Sequence, residues 1–284
     1  MRPELQKKIE QSINLLKKFD NPDNPVEIAY SGGKDSDVIL QLAKEAGIAY
    51  RAIYRNTTID PPGTIMHARE MGVEVRDPKE GKRFFQLVAQ RGYPSRFVRF
   101  CCSELKEYKI RDKCVIGVRR EESRQRNERY KEPTACLYYG RAKTEANHVE
   151  AIYPILEWTL NDVAEFIQDR KIKCAPVYYD NDGTFHPERR LGCIACPLAY
   201  KKKRIQEFKQ YPQILRAYLI NGKRYLENKP DNCAAKNYHS NVYEYFTRNL
   251  FYDSDAEMRK SEGGLFDEQI DYKAFLEKQF NIKL

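Results

Sequence analysis

Six consecutive residues, Ser31-Gly32-Gly33-Lys34-Asp35-Ser36, constrain this chain more than any other stretch. An apolar run from Pro25 to Tyr30 precedes them, and Val38, Ile39, Leu42 and Ala43 follow at helical spacing, so the segment reads as strand, glycine turn, helix. Paired glycines turn the backbone sharply and bring bare N–H groups close to a ligand, and the helix start adds partial positive charge. Ser31 and Ser36 supply hydroxyls, Lys34 a point charge, and Asp35 a carboxylate for a magnesium ion or for fixing the turn. All six residues are therefore expected at a phosphate site, with Lys34 and Asp35 as its catalytic pair. The string is not a Walker loop, which needs four residues between its first glycine and Gly-Lys.

Strand and helix patterns alternate after the turn. Strands are predicted over 25–30, 49–55, 73–76, 114–118 and 151–156, with helices near Gly63, over 84–89 and from Glu157, where Thr159 is the expected cap. Such alternation predicts an α/β fold with a five-stranded parallel sheet and right-handed crossovers. Ligands in these folds sit at the carboxyl ends of strands, which brings in Arg119 and Arg126 after the fourth. Guanidinium groups bind phosphate through paired hydrogen bonds. Residues 127–147 read as a polar excursion, and 201–250 carry helical spacing. The expected organisation is an N-terminal helix over 1–24, a nucleotide-binding α/β domain over 25–200, and a small helical C-terminal region over 201–284.

Charged residues make up 32% of the chain against 41% hydrophobic, which argues for a folded core rather than disorder. No run approaches the roughly 18 apolar residues that span a bilayer. The first segment interleaves Glu4 and Glu10 with Leu5, Ile9, Ile13 and Leu16, an amphipathic helix rather than a signal peptide. A cytoplasmic protein with no membrane partner is expected. The net charge of +9 suits anionic partners such as nucleotides or nucleic acid. The sequence carries no signal for an oligomeric state.

Eight cysteines in a cytosolic chain favour metal or redox chemistry over disulfides. Cys193 and Cys196 form a CxxC followed by proline, and Cys101-Cys102 form an adjacent pair; four thiolates from two segments can close around one metal site. Sulfur ligation of this kind is compatible with zinc or with an iron–sulfur cluster. Cys114, Cys136, Cys174 and Cys233 stand alone and read as structural.

These motifs together resemble the phosphoadenosine phosphosulfate (PAPS) reductase family of the PP-loop ATP-pyrophosphatase superfamily, from about Val26 to Lys203. The resemblance is carried by Ser31 to Ser36, by Asn56-Thr57-Thr58 where the family has Asp-Thr-Gly, by Gly117-Val118-Arg119 through Glu122-Ser123 to Arg126, by Pro154 through Trp158 to Val163, and by Gly192-Cys193. It implies a five-stranded parallel sheet of the adenine-nucleotide α-hydrolase type and an adenine nucleotide as ligand, with Thr57 and Gly117 among the residues that bind it. By similarity to adenylyl-sulfate reductases, it also implies a [4Fe–4S] cluster on Cys101, Cys102, Cys193 and Cys196. Two departures matter. Sulfonucleotide reductases use the cysteine of a C-terminal Glu-Cys-Gly-Leu-His motif, whereas the only cysteine here after Cys196 is Cys233, in Asp231-Asn232-Cys233-Ala234. The intact glycine turn is closer to relatives that split ATP, among them tRNA thiolases and the ATP-pyrophosphatase component of DNA phosphorothioation.

Three readings follow from the resemblance. In the first, ATP with Mg2+ adenylates an acceptor, nucleic acid by preference, pyrophosphate departs, and sulfur enters with a cysteine desulfurase as donor. In the second, PAPS or adenylyl sulfate is reduced to sulfite with thioredoxin, Cys233 being the nucleophile. In the third, the chain is a catalytically silent nucleotide-binding iron–sulfur subunit.

Overall fold

Strands alternate with helices through the first half of the chain, as the sequence pattern predicts. The computed structural model describes residues 1–108, 110, 112–138, 148–229, 241–251 and 270–284. Six strands form one sheet: β1 (Val26–Tyr30), β2 (Tyr50–Arg55), β3 (Glu74–Arg76), β4 (Lys113–Val115), β5 (Thr134–Tyr138) and β6 (His148–Ile152). Helices are α1 (Pro3–Lys17), α2 (Lys34–Ala46), α3 (Thr64–Glu70), α4 (Phe84–Arg91), α5 (Phe100–Leu105) and α6 (Arg124–Arg129). They continue with α7 (Leu160–Asp169), α8 (Lys201–Gln210), α9 (Pro212–Glu227), α10 (Val242–Leu250) and α11 (Tyr272–Phe280). Two units share these elements. The first is Met1–Asn56, Asp60–Pro78 and Lys106–Gly192; the second is Thr57–Ile59, Lys79–Leu105 and Cys193–Leu284.

In the first unit the sheet order is β3-β2-β1-β4-β6-β5. Five strands run parallel, with Val26 opposite Tyr50 and Tyr30 opposite Tyr54 in the central pair, while β5 lies antiparallel on β6. The expected five-stranded parallel sheet is thus the parallel part of a six-stranded mixed one. The correction falls in 127–147: β5 is an edge strand with Cys136 and Tyr138 exposed. Its Ala135 and Leu137 pack half-buried against the core cluster of Val118, Ala151, Tyr153 and Leu156, and this short apolar stretch is embedded in a segment whose polar residues hide it. The last parallel strand also starts three residues earlier than expected, at His148, and β4 ends at Val115, short of Gly117.

Burial explains the inner elements. Val26, Ile28 and Tyr30 of β1 are buried, and so is Glu27, whose charge is met by Arg55 at 2.7 Å in a pair shielded from water. Breaking such a pair from one side strands a buried charge and costs about 3–5 kcal/mol. Leu5, Ile9, Ser12 and Leu16 make the buried stripe of α1, which packs on α2. Ser12 donates to the Pro154 carbonyl at 2.6 Å and accepts from the Trp158 indole N–H at 3.1 Å. Helix α7 begins with a reciprocal cap: Thr159 Oγ1 accepts from Asp162 N at 3.1 Å, and Asp162 Oδ2 accepts from Thr159 N at 2.9 Å. Asp162 also receives Lys8 at 2.6 Å and Arg2 at 2.8 Å.

The second unit has a separate core rich in aromatic rings. Phe208 meets Tyr218, Phe246, Phe251 and Phe280 edge-on at 5.2–5.9 Å between centroids. Tyr93 donates from its hydroxyl to the Tyr218 carbonyl, lying so close to α9 that a Cβ on Gly222 would stand 1.9 Å from its oxygen. Only glycine fits there, which explains a poor helix former in the middle of a helix. Among the described residues no helix is long and apolar enough to cross a membrane.

Candidate functional site

The glycine turn joins β1 to α2 in the first unit. Gly32 adopts φ +79°, and a Cβ there would stand 2.7 Å from Thr64 Cγ2, so the turn is closed to side chains on two counts. Gly33 caps α2, its N–H donating to Ser31 Oγ at 3.3 Å, while Ser36 Oγ donates to the Gly33 carbonyl at 2.6 Å. The Lys34 N–H donates to the Tyr178 hydroxyl at 3.2 Å. A tyrosine oxygen therefore occupies an acceptor position at the helix start, where an anion's oxygen is favoured. Burial pushes the Tyr178 hydroxyl well above its ordinary range, keeping it neutral.

Asp35 gathers the charge. Its Oδ2 lies 3.1 Å from Lys34 Nζ and its Oδ1 2.7 Å from Arg119 Nε, and Arg119 reaches on to Glu121 at 2.9 Å. Both cations are buried, with Lys34 Nζ also 5.5 Å from the Tyr178 ring centroid. Gly117 backs onto this carboxylate: a Cβ on it would meet Asp35 Cβ at 3.4 Å. Of the loop arginines, then, Arg119 joins the turn. Arg126 sits on α6, partly exposed, and donates to Glu122, which also receives Arg190. Thr57 belongs to the second unit.

A buried network that the sequence reading missed lies behind the turn. Asp37, fully buried, accepts from the Tyr30 hydroxyl and lies 3.0 Å from His67 Nε2. Burial pushes the Asp37 carboxyl above its ordinary value, against the pull of His67, Tyr30 and the Cys174 thiol. These contacts tie the end of β1, the first turn of α2 and α3 to one point, a brace for the glycine turn between them. The signal available in sequence was a second aspartate directly after the motif. Nothing marked His67, Cys174 or Tyr178, which reach it only through the fold.

A cleft of about 160 Å³ opens at the carboxyl ends of β1 and β2, lined by Tyr30, Ser31, Tyr54, Arg55, Asp60 and Lys106. Tyr54 donates to Asp60 at 2.5 Å. A wider cleft of about 390 Å³ runs along α1 past Lys8, Tyr153 and Trp158. It lacks the glycine turn, which the smaller cleft reaches through Ser31 at the ends of β1 and β2, so the smaller cleft is the candidate site.

The four cysteines of the sequence reading all fall in the second unit. Cys101 and Cys102 lie on α5, Cys193 and Cys196 in the turn before α8, and none of the seven described cysteines is in a disulfide. Hydrogen bonding with Cys102, then burial, then the neighbouring Cys102, Cys193 and Cys196 push the Cys101 thiol far up, so the four sulfurs form one neighbourhood. The turn is held by backbone bonds: Cys196 N to the Cys193 carbonyl at 3.3 Å, Ile194 N to the Ile59 carbonyl at 2.9 Å, and Ala195 N to Glu207 Oε2 at 2.8 Å. Ala195 sits in the left-handed region at φ 56°, strain that persists only because its surroundings fix it. Thr57 Oγ1 lies 3.7 Å from Cys193 Sγ. Thr58, at the position where the resembling family has glycine, is left-handed too at φ 60°, its hydroxyl accepting from Phe84 N.

Among the described residues, no three His, Cys, Asp or Glu side chains form a ready ligand set for a metal ion. The donors gathered here are four thiols, a chemistry that suits a zinc ion and an iron–sulfur cluster alike. Cys114 and Cys174 are buried in the first unit, and burial pushes the Cys114 thiol up to about 12. Cys233 lies outside the described residues.

Residues 25–199 match the family described as phosphoadenosine phosphosulfate reductase domain. An uncharacterized protein of Methanocaldococcus jannaschii is 26% identical over 236 residues, covering 78% of this chain and 54% of that protein. An uncharacterized protein of Escherichia phage 186 is 29% identical over 147 residues, 47% of this chain and 40% of that one. The chain thus spans about half the length of the curated relatives it matches. Among solved structures, the PAPS reductase of Candida auris in a phosphate complex aligns with a TM-score of 0.41 and 13% identity, over 62% of this chain and 90% of that one. The FMN adenylyltransferase of Candida glabrata aligns with a TM-score of 0.41 and 15% identity, over 62% and 58%.

Proposed function

Because the chain belongs to the phosphoadenosine phosphosulfate reductase domain family, we propose that it is a PP-loop enzyme that binds ATP at the glycine turn and adenylates an acceptor for sulfur insertion. The acceptor is nucleic acid. The observation that carries this reading is Asp35, which holds Lys34 and Arg119 together beside the start of α2. Two buried cations and a helix N-terminus make a site for a polyanion, and they stabilise the charge that develops as an acceptor oxygen attacks the α-phosphorus and pyrophosphate leaves. A sulfide-level sulfur nucleophile then displaces the adenylated oxygen, which leaves as part of AMP. Both oxygens of Asp35 are engaged, so its role is to organise the cations. A Mg2+ ion arriving with ATP would be held mainly by the phosphates, with Asp35 as the carboxylate that the turn would offer it.

Cys101, Cys102, Cys193 and Cys196 are the residues that would hold a [4Fe–4S] cluster, which when bound supplies an iron-linked place for sulfur. Thr57 meets the Cys193 thiol, and Glu207 and left-handed Ala195 fix the turn that carries Cys193 and Cys196. The family's own description favours one competing reading, reduction of PAPS to sulfite by a thiol such as Cys233.

Anaerobic purification, iron and sulfide analysis, and an assay for pyrophosphate release from ATP test the proposal together. About four irons per chain are expected. Lys34→Ala should lose ATP binding and keep its iron, and Cys193→Ser should lose iron and keep ATP binding. Thioredoxin-dependent sulfite release from PAPS, with no pyrophosphate formed from ATP, would put the reductase reading in its place.

A further inference from the structure

We propose that residues 95–99 and 198–203 of the second unit form a binding surface for single-stranded nucleic acid, on which Phe97 and Tyr200 stack against unpaired bases. The inference deepens the proposed function, whose acceptor it names more narrowly. Eight large hydrophobic side chains are exposed among the described residues, and four of them, Phe97, Val98, Leu198 and Tyr200, fall in these two short stretches. Phe97 is 97% exposed and Tyr200 81%, a costly display for rings with no partner.

Local bonding fixes how the rings are shown. Ser95 Oγ accepts from the N–H groups of Phe97 and Val98 at 3.3 and 3.0 Å, and Ser95 N donates to the Val98 carbonyl at 3.2 Å, a tight turn with Phe97 near its tip. Arg96 Nε donates to the Pro197 carbonyl at 3.4 Å, joining the two stretches into one patch.

The charge within the stretches is of one sign: Arg96, Arg99, Lys201, Lys202 and Lys203 lie there, and no aspartate or glutamate occurs from 93 to 103 or from 191 to 206. Glu207, 3.6 Å from Lys203, offsets part of it. Arg204 adds a buried Nε with no hydrogen-bond partner among the described residues, with Arg96 as a like-charged neighbour and Glu207 as an opposite one. An anion placed there relieves the repulsion between the two arginines. Aromatic faces between cations are the pattern that holds a single strand, whose bases stack on the rings while its phosphates meet lysine and arginine. A duplex offers the rings nothing, since its bases are stacked already. A membrane surface fits less well, because cations interrupt the apolar residues and no continuous apolar face is left to insert. Residue 99 leads into the helix that carries Cys101 and Cys102, and Cys196 precedes Leu198 by two residues. A strand bound here is delivered beside the thiols.

Fluorescence anisotropy of the full chain with labelled oligo-dT and oligo-U, each about 15 nucleotides long, and with a duplex of equal length tests the surface. Tighter binding of the single strands is expected, and the better of the two tells DNA from RNA. The log of affinity should fall with log salt by about 0.7 per phosphate neutralised. Joint Phe97→Ala and Tyr200→Ala substitution should weaken single-strand binding by about 5- to 150-fold per lost stack with the salt slope unchanged. Lys201→Glu, Lys202→Glu and Lys203→Glu together should flatten the slope. Phe97, Tyr200 and Lys202 are exposed and Lys201 and Lys203 half-buried, and unchanged ATP binding and circular dichroism confirm folding. Preference for the duplex, indifference to loss of both rings, or binding to phosphatidylserine vesicles in place of oligonucleotide overturns the inference. Oligonucleotide binding without pyrophosphate release defeats the proposed function alone. Pyrophosphate release with binding unaffected by the ring substitutions defeats this surface alone.

Discussion

The glycine turn of the first unit and the cysteine set of the second are built on opposite principles. Ser31 to Ser36 are contiguous, and their geometry follows from two glycines between a buried strand and a helix; the fold adds Arg119 and Tyr178 afterwards. The cysteines come as two pairs far apart in sequence, and only the packing of α5 and the turn before α8 around Tyr218 makes them neighbours. A contiguous site withstands loss of distant contacts but not a change in its own backbone. A convergent site has the reverse weakness, since each half can be locally sound and still miss the other.

The strongest way to break that contrast is Gly32→Ala. With φ at +79° and Thr64 Cγ2 at 2.7 Å, a methyl group meets backbone strain and overpacking at once, together about 2–5 kcal/mol. ATP affinity and the melting temperature should both fall while the second unit keeps its iron. Normal ATP binding in this variant would show that the turn is not the site.

A smaller effect is expected at Asp162, which combines a local cap with distant ion pairs to Lys8 and Arg2. Burial raises its carboxyl, but Lys8 and the Thr159 cap outweigh that and leave it below its ordinary value. A depressed folded pKa means stability present above the unfolded value near pH ~3.9 and lost as pH falls through the folded one. Asp162→Asn should therefore lose about 1–2 kcal/mol at pH 7 and show a shallower acid limb in urea unfolding between about pH 4 and 2. Parallel pH profiles for parent and variant would mean that the distant pairs contribute nothing. The smallest effect belongs to Cys136→Ser. This thiol is exposed on an edge strand, so stability should move by no more than about 0.5 kcal/mol and iron content not at all. Iron loss there would redraw the cysteine set.

The same contrast explains what could be read in advance. The inner strands β2, β1, β4 and β6 and the cap at Thr159 were legible because buried strands are largely apolar and caps are local chemistry. β5 was not, because its apolar stretch Ala135 to Tyr138 is short, lies in an otherwise polar segment and leaves Cys136 and Tyr138 exposed. At the turn, all six motif residues and Arg119 were marked in sequence, whereas Tyr178 arrives from 144 residues away and His67 from a helix whose register nothing near the motif dictates. Arg126 was read as an anion ligand from its place after the fourth strand, and the structure shows it donating to Glu122 on a partly exposed helix.

Trp158 gives the molecule a built-in spectroscopic division. It is the chain's only tryptophan, buried beneath α1 with its indole bonded to Ser12, and it belongs to the first unit. Emission excited at long wavelength therefore reports on that unit alone. The stacked tyrosines of the second, Tyr93, Tyr225 and Tyr245, contribute to near-ultraviolet dichroism without adding to that emission. Coincident transitions by the two signals mean that the units melt as one cooperative block; separated ones mean that each holds its own free energy of unfolding.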